Sequence, residues 1–466
     1  MAMMNNVLKM KENLFTKLFV NKYLIYVFAT IILILTTLQG SGLMFEDSYF
    51  FDRTSDILLN NWDELSFGGR SFDYPVGGIF ITYLLKSFLN LQNIFDYLPI
   101  VLGLLSLFLL RKIYSHYDEN KFNKSLFSYL LIISPPFLFT FANYVTETFT
   151  LFLSILGVYF YLKKYKKTAI FSIFLLTFFG FFYSWLSFLI IIILCFEDKS
   201  RYFFYFIFLE IVYYSVFFYN HGFPVFLKYN TNFLKDYLFE FGSAYGITFF
   251  ILILSFFGIM HLWKSKYKYY KIYLSFILLV LASIIYSRSI VFLNLLLCFL
   301  GTNGFVFFIN EKWEGKQLKF LTILILSLGL IFSGFSYVNF NNESKEMINA
   351  LGSIEENSVV FSHFRYGVYI NYFAKSKNVL DVNFCCIDNV NEIYEDSQLF
   401  IKSRKADTTI DIVNKYEIGY VLITPWMKKN LGLSNEEGLL FVLKYSEQFE
   451  KVYDKDGFEV WKIKKL

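Results

Sequence analysis

The stretch that decides the fold runs from Lys22 to Phe51 and reads KYLIYVFATIILILTTLQGSGLMFEDSYFF. Residues 22–42 form an apolar run, and a helix needs about 20 apolar residues to cross a bilayer. Two acids, Glu46 and Asp47, follow shortly after the run. We therefore expect a first membrane span that is followed by carboxylates at the membrane surface.

Composition extends this interpretation to most of the chain. Of its 466 residues, 56% are hydrophobic and only 17% are charged, whereas an ordinary soluble protein carries about 25% charged residues. This composition argues against a soluble enzyme, and the high hydrophobicity excludes a disordered chain. The formal net charge of +5 is modest. Its basic residues fall between apolar runs, which is unlike a nucleic-acid-binding surface.

The apolar stretch 76–91 decides the topology. If it lies along the outer surface, 21 of the 27 basic residues before residue 338 fall in inner loops. If it crosses, most of them lie outside, against the positive-inside rule. We therefore predict an interfacial helix at 76–91, about eleven spans and a cytoplasmic amino terminus. The apolar stretches are 22–42, 76–91, 97–111, 125–141, 148–162, 168–183, 185–196, 201–219, 245–263, 272–287, 289–309 and 320–337.

The charge balance divides the chain into two predicted domains. Residues 1–337 hold 27 basic and 19 acidic residues, and residues 338–466 hold 16 and 19. The first part is the predicted transmembrane domain, and the second is a predicted extracytoplasmic α/β domain. Short apolar runs at 359–362 and 419–423 and an Asp-Gly hairpin signal within 449–463 predict a small, largely parallel sheet there.

Four motifs in the membrane part form a recognisable order. They read MFEDSYFF at 44–51, FDYPVGG at 72–78, SPPF at 134–137 and NYVTET at 143–148. This layout resembles the GT-C superfamily of membrane glycosyltransferases. In that family, an acid just after the first span is followed by a tyrosine-proline turn into a juxtamembrane helix.

The resemblance implies a polytopic α-helical enzyme of the cell membrane, similar to mannosyltransferases. Such an enzyme transfers a sugar, with inversion, from a polyprenyl- or dolichyl-phosphate carrier to an acceptor on the outer face. The nature of the acceptor is left open. The Trp-Trp-Asp-type acceptor motif of oligosaccharyltransferase catalytic subunits is absent, and Ser48 and Val76 stand where many relatives have a second acid and a second proline.

Sugar transfer from a lipid phosphate needs a base that accepts the acceptor's proton. Asp47, at the partly desolvated outer end of the first span, is the candidate base, and Glu46 is the alternative. Glu147 lies at the membrane boundary within an apolar region, where acids usually face a cavity or a partner. It would position the acceptor, or hold a divalent cation, Mg²⁺ or Mn²⁺, together with Asp47. Each acid has a simpler interpretation as a helix-end charge.

The leaving phosphate needs cationic ligands. Arg288 stands almost alone on the predicted outer side, and a guanidinium group binds phosphate in a bidentate manner. The alternative for Arg288 is a contact with lipid headgroups. Weaker candidates for phosphate or sugar contacts are Arg70, His221 and Lys228, and His363 and Arg365 are candidates for contacts with the acceptor.

The remaining membrane-part acids receive structural assignments or none. Asp52, Asp56 and Asp63 are expected on solvated faces of loop helices. Glu210 lies within a span, and the sequence assigns it no role.

Two other classes of function remain open. A transporter or flippase of lipid-linked saccharides would show internal repeats and polar residues near the bilayer midplane; no repeat is visible, and the acids cluster at one surface. A non-catalytic membrane scaffold would use the tail to bind partners.

Overall fold

The structure is a computed structural model that describes residues 17–39, 45–60, 62–71, 76–89, 94–195, 201–221, 237–338, 345–382, 389–433 and 437–464. The residues fall into two units. The first unit lies within Met1–Gly42, Leu91–Tyr213 and Asn230–Asn341. The second unit lies within Leu43–Asn90, Tyr214–Tyr229 and Asn342–Leu466. The segment 43–75, predicted as the first outer loop, therefore shares its unit with the tail predicted from residue 338.

Long apolar helices dominate the chain up to residue 338. In chain order they are α1 Lys22–Gln39, α2 Glu46–Asp56, α3 Val76–Leu89, α4 Ile94–Tyr117, α5 Lys121–Ile132, α6 Pro135–Ala142, α7 Thr146–Leu162, α8 Lys166–Phe174, α9 Phe181–Cys195, α10 Arg201–His221, α11 Phe249–Trp263, α12 Tyr270–Ile285, α13 Ile290–Asn310 and α14 Lys316–Val338.

Three segments are long and apolar enough to cross a membrane by themselves within the described residues. They are Phe95–Tyr117, Ser287–Asn310 and Lys316–Val338, of 23, 24 and 23 residues. A fourth candidate is the bent pair α5 and α6. Further apolar helices of 10–17 residues, including α3, α7 and α11, are shorter than this criterion. The predicted membrane character is therefore evident, whereas the predicted number of spans stays a prediction.

The apolar stretch predicted as one span at 125–141 is broken. Helices α5 and α6 meet at an angle of 66°. Ser134 between them has extended backbone angles, with φ −77° and ψ 130°, and Pro135 begins α6. A proline disfavours helical geometry in the residue before it and has no amide hydrogen to continue the helix. The Ser134 hydroxyl accepts a hydrogen bond from the Asn294 side-chain amide of α13 at 2.9 Å.

Glycines allow close packing of α11 against α13. A Cβ atom at Gly258 would overlap the backbone carbonyl of Leu300, and one at Gly304 would overlap that of Leu254. Small residues let membrane helices approach until their backbones touch, which supplies packing where the hydrophobic effect is weak. This contact explains why α11 and α13 lie side by side in the first unit.

The tail contains a five-stranded sheet. In the whole chain the strands are β1 Trp62–Asp63, β2 Arg70–Ser71, β3 Val359–Phe361, β4 Lys377–Asn378, β5 Tyr420–Ile423, β6 Phe449–Lys455 and β7 Phe458–Ile463. The tail strands are ordered β4-β3-β5-β7-β6. β3 is parallel to β4 and β5, whereas β7 is antiparallel to β5 and β6. The strand positions are confirmed, but the sheet is parallel on one side only, because β6 and β7 form the hairpin predicted around Gly457.

Helices connect and cover these strands. The apolar patterns at 367–374 and 405–416 also predict helices, and the structure has Gly367–Tyr369, which continues as Ile370–Ala374, and Ala406–Lys415 at these places. Others were not predicted. These are Lys345–Leu351, Val390–Lys402, Pro425–Asn430 and Gly438–Tyr445.

The second unit joins the first outer loop to the tail. The Ser66 hydroxyl donates a hydrogen bond to the buried carboxylate of Asp381 at 2.7 Å. The backbone amide of Phe67 donates to the side-chain oxygen of Asn378 at 2.8 Å. Helix α3, the interfacial helix predicted at 76–91, packs against α2, where Lys86 binds Asp52 at 2.5 Å. These contacts connect the described parts of the loop to the tail and to α3.

Candidate active site

Glu147 is a fully buried carboxylate in the first turn of α7. Asn143 and Val145, immediately before α7, are both extended, so α6 ends and α7 begins within a few residues. The Thr148 hydroxyl fixes this break, because it donates to the carbonyl of Thr140 at 2.6 Å. The Tyr183 hydroxyl of α9 donates to Glu147 Oε1 at 2.7 Å.

Arg288 lies beside this carboxylate. This proximity could not be predicted from the sequence. Arg288 occupies the short 3₁₀ turn Ser287–Ser289 between α12 and α13. Its Nη1 lies 3.7 Å from Glu147 Oε1, and 21% of its side chain is exposed. At this distance the attraction is an ion pair rather than a hydrogen bond. The two strongest charged candidates in the first unit therefore form one pair.

Aromatic side chains surround the pair. Tyr286 packs on Phe182 with ring centroids 4.2 Å apart and meets Tyr183 edge to face at 6.2 Å. The Tyr245 hydroxyl lies 3.0 Å from that of Ser287. These contacts hold the turn that carries Arg288, and they lower the local dielectric around it, which strengthens its interactions with anions.

The chemical consequence concerns the orientation of the guanidinium group. A buried carboxylate with a hydrogen-bonding phenol fixes the position of a partly exposed arginine. An arginine held in this way is ready to bind a phosphate oxygen with little reorganisation. Tyr183 and Tyr286 were missed from the sequence, because nothing distinguishes them among 36 tyrosines.

The predicted base lies in the second unit. Asp47 and Glu46 form the first turn of α2, and both side chains are partly buried. Phe45 precedes them with extended backbone angles and provides no side-chain cap. Acids in a first turn complement the helix dipole, so this position is compatible with either a structural or a catalytic role. Whether Asp47 is the base stays a prediction.

The structure corrects the expectation that Asp63 is solvated. Asp63 was expected on a solvated face, but its side chain is fully buried. Arg53 binds both of its oxygens, at 2.5 and 2.7 Å. Asp52 is also engaged, by Lys86 and by the Tyr372 hydroxyl at 2.7 Å, whereas Asp56 is 68% exposed. The acids of the first outer loop therefore include a buried structural one.

The structure does not describe the side chains of the weaker phosphate candidates. Arg70 belongs to β2 and His221 is the last residue of α10, but their side chains are outside the described part of the chain. Lys228 lies entirely outside the described residues. All three stay predictions.

The tail candidates meet at the carboxyl edge of the parallel strands. β4 and β5 lie on opposite sides of β3, and the carboxyl edge at such a reversal of strand order is where α/β proteins often bind ligands. His363 follows β3 and packs on Trp426, which follows β5, with ring centroids 4.8 Å apart. Arg365 lies over the same indole at 5.6 Å. Burial, together with the charge of Arg365, lowers the pKa of His363 to about 4, so this imidazole is neutral at pH 7.

Glu210 now has partners. Its carboxylate accepts hydrogen bonds from the hydroxyl groups of Thr177 at 2.6 Å, Ser184 at 2.7 Å and Ser187 at 3.2 Å. Three hydroxyl donors compensate the cost of placing a polar group within an apolar helix bundle. The arrangement is a structural link between α10 and α9.

The predicted binding of a divalent cation by Asp47 and Glu147 stays a prediction. The neighbours of Glu147 are a guanidinium and a phenol, whereas Mg²⁺ and Mn²⁺ prefer several oxygen ligands. In the described ranges no group of three His, Cys, Asp or Glu side chains is arranged to hold a metal ion.

Comparisons by sequence find no relative: no protein-family model and no curated protein matches the chain. Solved structures do match. The apo oligosaccharyltransferase of Archaeoglobus fulgidus has a TM-score of 0.62 at 10% identity and covers 96% of this chain and 75% of its own. The complex of the same enzyme with Zn and sulfate has a TM-score of 0.60 at 12% identity, and the match covers 94% of this chain and 73% of the other.

The same archaeal enzyme in complex with an inhibitory peptide and a dolichol-phosphate also matches. Its TM-score is 0.56 at 12% identity, and the match covers 93% of this chain and 74% of the other. At such low identity the likeness concerns the fold. It extends over nearly the whole chain, through membrane helices and tail. The chain therefore has a GT-C-like fold, the architecture of a superfamily of membrane glycosyltransferases.

Proposed function

We propose that the chain is a glycosyltransferase that moves a sugar from a polyprenyl-phosphate carrier to an acceptor at the outer face of the membrane. The observation that carries this proposal is the cluster of Arg288, Glu147 and Tyr183 in a bundle with a GT-C-like fold. A dolichol-phosphate is bound to the archaeal neighbour, which supports a lipid phosphate as the donor here.

Arg288 is proposed to bind the leaving phosphate group. As the bond between the sugar C1 and the phosphate oxygen breaks, negative charge builds on the phosphate. The guanidinium group of Arg288 stabilises this charge in a site with few competing waters. Glu147 and Tyr183 are positioning residues, because they hold the guanidinium group without touching the donor. Arg70, His221 and Lys228 are proposed as further contacts to phosphate or sugar.

Asp47 is the proposed base, with Glu46 as its alternative. The acceptor loses its proton to the Asp47 carboxylate while its heteroatom attacks C1, and the carrier phosphate leaves from the opposite face. This displacement inverts the configuration at C1 and balances protons and charge. A hexose is the proposed sugar. Because phosphate is a good leaving group, the step does not depend on a strong general acid.

Acceptor recognition is proposed at the carboxyl edge of the tail sheet. Trp426 offers an aromatic face, and Arg365 offers a planar set of donors beside it. The archaeal neighbour holds peptides, so a peptide is tested first, with lipid and glycan acceptors in parallel. Arg365→Ala is expected to raise the KM for the acceptor and leave the KM for the donor unchanged.

The topology belongs to the same proposal. It comprises about eleven spans, a transmembrane domain at 1–337, a cytoplasmic amino terminus and an extracytoplasmic domain at 338–466. Support comes from the apolar helices and from the distribution of basic residues. Reporter fusions at Lys266 and Lys455 test it: the first should report a cytoplasmic location and the second an extracytoplasmic one.

A divalent cation remains a separate question for experiment. Asp47 and Glu147 are the proposed ligands if Mg²⁺ or Mn²⁺ takes part, and one archaeal neighbour is in complex with Zn. The surroundings of Glu147 favour its role beside Arg288 instead. Activity measured after chelation and after adding back Mg²⁺, Mn²⁺ or Zn²⁺ decides between the two roles.

A transfer assay tests the proposed function. Purified full-length protein is supplied with polyprenyl-phosphate-linked hexoses and candidate acceptors, and the labelled product is measured. We expect transfer by the native chain and loss of transfer in Asp47→Asn. Asp96→Asn is the matched control, since Asp96 is an exposed acid in the first turn of α4. Full activity of Asp47→Asn would contradict the assignment of the base.

A further inference from the structure

A cavity of about 270 Å³ opens at the opposite end of α7 from Glu147. It lies between the carboxyl-terminal ends of α4 and α7, within the first unit. This is the end of the bundle that the distribution of basic residues predicts to face the cytoplasm. The cavity is distinct from the Arg288 cluster, because Glu147 lies in the first turn of α7 and the cavity lies at its last turn.

The polar lining of this cavity is cationic. Lys112 and His116 contribute from α4, and Lys163 contributes from the end of α7. No acidic side chain belongs to the lining that the described residues form. Tyr159 adds a phenolic hydroxyl group that can donate a hydrogen bond. Two ammonium groups with a hydroxyl donor and no carboxylate create a local positive potential that attracts an anion.

Apolar contacts set the class of this anion. Ile113 and Leu162 line the same cavity, and the ammonium group of Lys112 lies over the Phe108 ring at 5.6 Å. Apolar walls do not contribute to the binding of a free inorganic anion. A lipid, in contrast, presents a phosphate and the start of its acyl chains together. Basic pockets between membrane helices at the cytoplasmic surface are typical binding sites for anionic headgroups.

We propose that this cavity binds the phosphate headgroup of an anionic phospholipid in the leaflet next to it. Lys112 and Lys163 bind the phosphate from two helices, and Tyr159 donates to one of its oxygens. The bound lipid would thereby link the ends of α4 and α7. The chemistry of the cavity does not depend on the proposed sugar transfer.

Lysines near an inner membrane surface also attract anionic lipids without a specific site. Two outcomes separate these cases: saturable binding of one lipid, and a special effect of the lysines that line the cavity. Lys121 and Lys167 provide a matched control, since both are exposed lysines of the same unit and neither lines the cavity. Replacing either pair removes the same charge.

Lipid binding is measured with the purified full-length protein by native mass spectrometry and by titration with phosphatidylglycerol, phosphatidylcholine and inorganic phosphate. We expect one saturable phosphatidylglycerol site. The Lys112→Ala/Lys163→Ala variant should lose about 100-fold in affinity, because each lost hydrogen bond to the charged phosphate weakens binding about tenfold. The Lys121→Ala/Lys167→Ala variant should bind normally. The Lys112→Arg/Lys163→Arg variant keeps the charge and should retain binding, which guards against a misfolded alanine variant.

Three results would overturn the proposal. The first is equal loss in the two alanine variants, which indicates general charge attraction. The second is binding of phosphatidylcholine as tight as that of phosphatidylglycerol, which removes the role of the anion. The third is occupation of the site by inorganic phosphate with the affinity of the lipid, which identifies a free phosphate site instead.

Discussion

Two buried carboxylates, one in each unit, face an arginine in different ways. In the second unit, Arg53 binds both oxygens of Asp63 at 2.5 and 2.7 Å, and the backbone amide of Ser66 donates to the same carboxylate at 3.3 Å. In the first unit, Arg288 stays 3.7 Å from Glu147. Arg53 is 13% exposed and Arg288 is 21% exposed.

We propose that the difference separates a structural pair from a functional one. Asp63 uses its oxygens within the loop that carries it, so the pair closes that loop. Glu147 receives its short hydrogen bond from Tyr183 and attracts Arg288 by charge alone at the contact with Arg288 Nη1. The guanidinium group of Arg288 is thus held near Glu147 without donating a hydrogen bond through this contact. Substitutions at the two pairs and at their neighbours test this distinction.

Asp63→Asn should destabilise the second unit by about 3–5 kcal/mol, because it leaves the charge of Arg53 buried without its counter-charge. Proteolysis of the full-length protein under native conditions, followed at the tail, measures this loss. Asp56→Asn is the control, since Asp56 is 68% exposed and its ion pair should contribute at most about 1 kcal/mol. Equal stability of the two variants would contradict a structural role for the Arg53 pair.

Glu147→Gln should lower the rate of transfer about 10- to 100-fold, which corresponds to the loss of an interaction with a charged group. Thermal unfolding should change little, because Arg288 is partly exposed and water can solvate it. Glu119→Gln, in the exposed connection between α4 and α5, is the control for transfer. A folded Glu147→Gln variant with the native rate would show that the pair has no function.

Tyr183→Phe removes one hydroxyl and keeps the ring. The lost hydrogen bond to Glu147 should reduce transfer about tenfold, with the effect on kcat rather than on the KM for the acceptor. Tyr165→Phe, at an exposed tyrosine, should have no effect. A change in the acceptor KM alone would place Tyr183 in a different part of the site.

Lys86→Ala should have the smallest effect. Lys86 binds Asp52 and Asp56 at 2.5 and 2.9 Å, but it is 26% exposed. A surface pair of this kind contributes about 0–1 kcal/mol, and salt screens it. Melting temperatures of native and variant protein should therefore converge at high ionic strength. A large loss that persists at high salt would place this contact with the buried Arg53 pair.

The sequence allowed the charged members of the site to be predicted, because a charge in an apolar run is conspicuous. Glu147 and Arg288 stand out against their neighbours, although nothing in the sequence relates them across 141 positions. Tyr183 could not be found, because aromatic residues make up 22% of the chain. A phenol that binds a carboxylate looks the same in the sequence as one that faces lipid.

The misjudged acid has a similar explanation. Asp63 lies among polar residues in a loop, where exposure is the ordinary outcome. Its burial depends on Arg53, ten residues away, and on a turn that aims the Ser66 amide at it. In the fold, long apolar runs predicted helices, and short apolar runs together with an Asp-Gly hairpin signal predicted strands of the tail. The bend at Pro135 was visible as a motif, but apolar residues on both sides concealed the break.

The affinity of the protein for polyprenyl phosphate is the direct test of the proposal that Arg288 binds the leaving phosphate. It is measured with the purified full-length chain, with Arg288→Ala and with Arg288→Lys, together with their melting temperatures. We predict a loss of about 10- to 100-fold in Arg288→Ala, a smaller loss in Arg288→Lys, which keeps the charge without the planar fork, and unchanged melting. Native affinity in a folded Arg288→Ala variant would contradict the assignment of Arg288 as the phosphate ligand.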